Sequence, residues 1–272
     1  MSLLLPSRRS ISLVAAGLVA GVLAGTQLQA MATAYDYTAG HCDIGLGYTS
    51  GTGSGSGPRL YLQFGGDAVA TGLSSSQLTA GEPGGIVGEW STSSFVTVVP
   101  QSVSLLRPAG AEWDFLGTPA GQPVWVFGQN SQAGVPFLGF NTEKAGGGTG
   151  TFILASVLTR PTDGQVSLFQ IGGFGTTTVY WSSAEPGVDE LTVPAQTHAH
   201  YNFGFTKPGY YELHVSGTGS GFPGQATGVL AFQVVPEPSA SIAAVLAGLL
   251  AGAFLRSRHR HLTGRARLWP AA

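Results

Sequence analysis

The chain has 272 residues, of which 42 are glycine, and only 10% are charged against a usual share of about 25%. Apolar residues still reach 43%, which is enough for a packed core and excludes a disordered, charge-rich chain. Sixteen prolines without a Gly-X-Y period exclude collagen, and a content of two lysines excludes an electrostatic nucleic-acid binder.

Charge divides the chain into parts. All 14 acidic residues lie between Asp36 and Glu237, where they outnumber five basic ones: Arg59, Arg107, Lys144, Arg160 and Lys207. The other basic residues sit at the two ends. Arg8 and Arg9 precede an apolar run from Ile11 to Gly25, and small residues follow, ending at Ala30 or at Ala32-Thr33-Ala34. This is the layout of a secretory signal peptide over residues 1–34, and the run is short for a membrane span. It predicts use of the Sec export machinery.

The middle, residues 35–234, shows almost no helical periodicity. Short alternating or apolar runs recur between Gly, Pro, Ser and Thr. They predict strands near 59–64, 95–99, 102–106, 124–127, 152–158, 165–170, 177–181, 197–205, 210–216 and 228–234. A short helix is expected around 74–78, and the Gly51–Gly57 stretch reads as a flexible hairpin tip. Many short strands predict an all-β fold, an antiparallel β-sandwich of the Ig-like or jelly-roll-like kind. The single Cys42 allows no intrachain disulfide and reads as a small buried apolar residue.

Four histidines fall in this domain: His41, His198, His200 and His214. In a strand, residues two apart share a face. His198, His200 and Asn202 then point one way, while Ala199, Tyr201, Phe203 and Phe205 form a core face. His41 and Asp43 likewise share a face opposite Cys42 and Ile44. Three imidazoles and a carboxylate form a candidate metal set, with zinc or copper as the ions such donors suit. Asn202 and His214 are candidates for the surrounding hydrogen-bond shell. His214 is expected near Asn202 if 197–205 and 210–216 form a hairpin with a bulge or odd-length loop at Pro208-Gly209.

Enzyme readings find no support in motifs. There is no Gly-x-Ser-x-Gly elbow and no His-Glu-x-x-His helix. Glu112 with Asp114, or Asp189 with Glu190, read as solvated surface carboxylates. Trp90, Trp113, Trp125 and Trp181 raise a sugar-stacking alternative, an exopolysaccharide-binding module, although Trp125 and Trp181 sit in apolar strands that read as core.

At the C-terminal end, Val235-Pro236-Glu237-Pro238-Ser239 precedes an apolar run from Ala240 to Leu255, and Arg256, Arg258 and Arg260 follow it. The apolar run predicts a membrane helix that the basic cluster holds on the cytoplasmic side. Pro-Glu-Pro, apolar helix and Arg cluster, in that order, resemble the PEP-CTERM sorting signal over residues 235–261. Residues 262–272 continue as a basic cytoplasmic tail, beyond the point where that signal normally stops. The resemblance implies recognition by an exosortase, cleavage near Pro236-Glu237-Pro238, and an inner-membrane-anchored precursor that becomes a cell-surface or extracellular-matrix protein.

A second resemblance covers about residues 36–234. It rests on Gly40-His41-x-Asp43-Ile44-Gly45, on Val124-Trp125-Val126, on Phe137-Leu138-Gly139-Phe140-Asn141-Thr142-Glu143, and most specifically on the segment from Thr197-His198-Ala199-His200 to Pro208-Gly209-Tyr210-Tyr211. These look like the choice-of-anchor M domain, which is similar to actinobacterial surface-anchored domains. Phe203-Gly204-Phe205 stands where relatives more often show Trp-x-Phe. The resemblance implies an extracellular location and, because relatives are encoded beside metal-type transporters, a role in metal capture. It carries no catalytic residue set. The expectation is therefore an exported binding or structural protein that is not an enzyme, with surface metal binding as the sharper alternative.

Overall fold

The computed structural model describes residues 34–52 and 56–236. The expected signal peptide, Glu237, Pro238, the C-terminal apolar run and Arg256, Arg258 and Arg260 lie outside the described residues. Among the described residues no helix is long and apolar enough to cross a membrane.

The chain is mostly strand. In order these are β1 (Tyr35–Thr49), β2 (Gly57–Phe64), β3 (Val69–Ala70), the short helix α1 (Ser75–Ala80), β4 (Trp90–Ser91), β5 (Phe95–Val99) and β6 (Ser104–Leu106). Then come β7 (Pro123–Phe127), β8 (Pro136–Lys144), β9 (Gly150–Thr159), β10 (Val166–Ile171), β11 (Thr177–Ser182) and β12 (Glu190–Val193). The last four are β13 (His198–His200), β14 (Asn202–Phe205), β15 (Gly209–Gly219) and β16 (Gln225–Val234). The helix starts where a capping box forms: the Ser74 hydroxyl accepts from the Gln77 N–H, and the Gln77 side chain accepts from the Ser74 N–H.

Two sheets result. The larger has 11 strands, with the path β12-β9-β15-β16-β5-β1-β2-β4, β3 and β8 added on β1, and β13 added on β8. The smaller has five, in the order β11-β10-β14-β7-β6. The larger sheet is mixed rather than purely antiparallel, because β1 runs parallel to both β5 and β8, and β16 runs parallel to β5. Parallel partners are joined by long stretches of chain, so local turn chemistry gives no sign of them.

Aromatic side chains fill the space between the sheets. Phe127, Phe203 and Phe205 of the smaller sheet meet Phe232 of the larger, with ring centroids 6.5, 5.4 and 5.1 Å away. Burying each such ring contributes about 1.5–3 kcal/mol. Trp90, Trp125 and Trp181 are also buried, while Trp113 packs at the edge of a small cluster around Phe115 and Phe169.

β1 is the strand that organises the site. Gly40, at φ +84°, breaks it in two: the first part pairs with β5 and β3, the second with β2 and β8. A Cβ there would sit 2.2 Å from the Asp67 carbonyl oxygen, so only glycine fits both the conformation and the space. Past the bend, Cys42, Ile44 and Leu46 are fully buried on the core face, and His41, Asp43, Gly45 and Gly47 take the opposite face.

The run 197–205 is not one strand. It pairs with β8 of the larger sheet as far as His200 and then crosses to the smaller sheet, where Asn202–Phe205 pairs with β10 and β7. Nor does it form a hairpin with β15, whose partners are β16 and β9.

Candidate metal centre

Three neighbouring strands, β1, β8 and β13, present one polar face. Across them, Asp43 of β1 is level with Gly139 of β8, and Gly139 is level with His200 of β13. Two positions along, His41 is level with Phe137; on the other side, Asn141 lies level with His198. The register of β13 is held from both ends. The Thr142 N–H donates to the Thr197 carbonyl at 3.0 Å, and Gln170 Nε2 donates to the His200 carbonyl at 2.9 Å, with Tyr180 donating to Gln170 in turn.

This brings His41, His198 and His200 together, with one ring nitrogen of each within 4.8 Å of the others. Their ring centroids form a triangle of 5.1, 5.8 and 6.0 Å. Asp43 lies beneath them. Its Oδ1 is 3.5 Å from His41 Nε2 and 3.9 Å from His200 Nε2. Asp43 is 4% exposed, and this oxygen has no hydrogen-bond partner. His200 is clamped by Phe137, whose ring stacks on the imidazole at 3.6 Å and 7°. His198, at the exposed rim, meets Glu143 through Nδ1 and Oε1 at 3.3 Å, which leaves its Nε2 for other work. The His41 N–H donates to Asp67 Oδ1 at 3.2 Å.

The electrostatics of the two inner histidines differ. The Asp43 carboxylate raises the His41 pKa above the ordinary imidazole value, against the opposing effect of burial. Burial lowers that of His200, aided by the neighbouring His41 and opposed by Asp43. Three carboxylates, those of Asp43, Asp67 and Glu143, act on His41, so the site as a whole attracts cations.

The three imidazoles are close enough to share an ion, and Asp43 adds an oxygen beside two of them, His41 and His200. Separations of 3.5 and 3.9 Å exceed a hydrogen bond, which needs about 2.7–3.2 Å. They approach the donor–donor distance of about 3.4 Å that a tetrahedral ion with bonds of about 2.0–2.1 Å requires. A carboxylate oxygen that is buried, unpartnered and faced by two imidazole nitrogens matches that requirement better than it matches a finished hydrogen-bond network.

The other residues singled out in the sequence are placed elsewhere. Asn202 lies beyond the sheet crossing, and its side chain is engaged with Gln129: Nδ2 donates to Gln129 Oε1 at 2.6 Å, and Oδ1 accepts from the Gln129 N–H at 3.3 Å. His214 is in the middle of β15, level with Val229 and Ser156. The expected shell of Asn202 and His214 is therefore replaced by Glu143, Phe137 and Asp67. Pro236 is exposed at the end of the described residues. Glu143 carries a readable signal: Gly139, Asn141 and Glu143 alternate with Leu138, Phe140 and Thr142, whereas Phe137 lies on the same face as an apolar exception.

Compared with known proteins, the chain matches no family model, no curated protein and no solved structure.

Proposed function

We propose that this is an exported β-sandwich protein whose His41, His198, His200 and Asp43 bind a divalent transition metal of the zinc or copper class. The observation that carries the reading is the orphaned Asp43 oxygen facing two imidazole nitrogens. Three neutral imidazoles and one carboxylate suit such an ion, and partial exposure of His41 and His198 allows it to enter and leave. Binding rather than catalysis is the role, and surface metal capture is the use that fits an exported chain. The supporting sequence features are the signal-peptide layout and the PEP-CTERM-like residues 235–261, which make the chain an exosortase substrate.

Elemental analysis tests the metal reading. The full chain, in detergent and without a histidine tag, is expected to carry near-stoichiometric zinc or copper, and His198→Ala/His200→Ala to carry none. No metal after incubation with several divalent ions overturns it. For sorting, replacing Pro236, Glu237 and Pro238 by alanine is expected to leave the precursor in the inner membrane; normal processing of that variant refutes the exosortase assignment.

A further inference from the structure

We infer that Gly139 is the positioning residue of the metal centre: its missing side chain is the slot in which Asp43 and His200 converge. This rests on the metal reading above and adds a residue that touches no ion itself.

Gly139 sits inside β8, paired on both sides, with β1 at Asp43 and with β13 at His200. Its φ is not among the positive values, so the backbone there is open to any residue. Glycine in a strand interior gives up side-chain packing and costs conformational entropy, and it commonly marks a close approach of other groups. The groups that approach here are the proposed donors. A Cβ at Gly139 would lie 2.4 Å from Asp43 Oδ1 and 2.9 Å from both Cε1 and Nδ1 of His200.

The nearest of them, Asp43 Oδ1, is the end of a short side chain, and none of the three is backbone, so an added methyl group would displace the carboxylate first and press on the imidazole that Phe137 holds. The next position on this face of β1 behaves differently. A Cβ at Gly45 would lie 2.1 Å from the ring of Tyr61, which is 2% exposed, and whose hydroxyl donates to Asn141 Oδ1 at 3.0 Å. Tyr61 is a rigid ring held at its far end by that hydrogen bond. Gly45 thus serves the fold, and Gly139 serves the site.

The test compares the full chain with Gly139→Ala and Gly45→Ala, using Zn2+ and Co2+ as probes. Four quantities are read: melting temperature without metal, its increase on adding Zn2+, the visible absorption of bound Co2+, and the affinity from the Co2+ titration. For Gly139→Ala we expect a metal-free melting temperature close to the parent's, a Zn2+-induced increase that is largely lost, an altered Co2+ spectrum, and affinity lower by about 10–100-fold, the size of effect that mispositioned metal ligands produce. Gly45→Ala is expected to lower the metal-free melting temperature and keep the Zn2+ increase. A Gly139→Ala chain with the parent's Co2+ spectrum and affinity overturns the inference while leaving the metal reading intact. A parent chain that binds neither ion overturns both. If Gly139→Ala does not fold, Gly139→Ala/Asp43→Ala decides: recovered folding supports the slot, and failure to recover overturns it.

Discussion

Asp43 and His200 belong to strands that do not pair with each other, yet Asp43 Oδ1 lies 3.9 Å from His200 Nε2, reaching across a third strand. Asp43 Oδ1 is buried without a hydrogen bond and is relieved only by the charge of a protonated His41, so the metal-free protein is destabilised at this point once His41 is neutral. Asp43→Asn, measured on the alkaline side of the His41 titration, is expected to stabilise the metal-free chain by about 1–3 kcal/mol. The same variant is expected to lose most of the stabilisation that Zn2+ gives the parent. Denaturant melts with and without Zn2+ check both halves, and an Asp43→Asn chain stabilised by Zn2+ as much as the parent contradicts the role of this oxygen.

Metal affinity should fall with acid, starting above the usual imidazole range. The His41 pKa is raised by Asp43, so its protonated form is favoured in the metal-free protein. That ion pair stabilises the metal-free fold fully below the unfolded value of about 6.5, and its contribution is lost as pH rises through the higher folded value. A metal must displace this proton, so the acid edge of binding is set first by His41. Isothermal titration with Zn2+ across pH 5.5–8 (roughly the imidazole range) is expected to show proton release that diminishes in His41→Gln.

A second polar cluster on the same sheet governs acid stability. Glu89 accepts from Arg59 Nε at 2.6 Å, from the second guanidinium nitrogen at 2.8 Å, and from Lys144 Nζ at 3.0 Å. Burial pushes the Glu89 carboxyl up, but the hydrogen bonds from Arg59 and Lys144 outweigh it and hold its pKa below the usual carboxylate value. Its stabilising contribution is complete above about pH 4.3 and is lost as pH falls through the lower folded value. Glu89→Gln should cost about 2 kcal/mol at pH 7, less than the 3–5 of a fully buried pair because Arg59 and Lys144 keep part of their water. Between pH 5 and pH 3, roughly the carboxylate range, the gap between variant and parent should narrow.

Gly40→Ala should fail at the level of the fold. It needs φ near +84° and would place a Cβ against the Asp67 carbonyl. A loss of at least about 2 kcal/mol is expected, from backbone strain and overpacking together. Thermal melts of the metal-free chain read it directly, and a variant as stable as the parent would show that the bend before His41 is not held by this glycine.

Much of the site is legible in the pleat. His-x-Asp and His-x-His each place two side chains on one face, and His41 with Asp43, and His198 with His200, do share faces. The same alternation misleads one residue later, because at Tyr201 the chain leaves one sheet for the other and Asn202 starts a new register. β8 is hard to read from the sequence because Gly139 interrupts its apolar run and Pro136 opens it, both poor strand formers. Its parallel pairing to β1 has no local signature at all. The hairpin that would bring His214 to Asn202 does not form, since β15 finds its partners in β9 and β16 instead.

The placement of β8 between β1 and β13 also sets an order of events in time. His41 and Asp43 come early in the chain and His198 and His200 late, and they meet only when β8 has docked on one side and received β13 on the other. Contacts this distant in sequence form after the loop entropy between them has been overcome, late in folding. An emerging chain therefore presents scattered histidines and no high-affinity site. On the proposed reading, an ion would be chosen only where folding is completed, not where the chain is made.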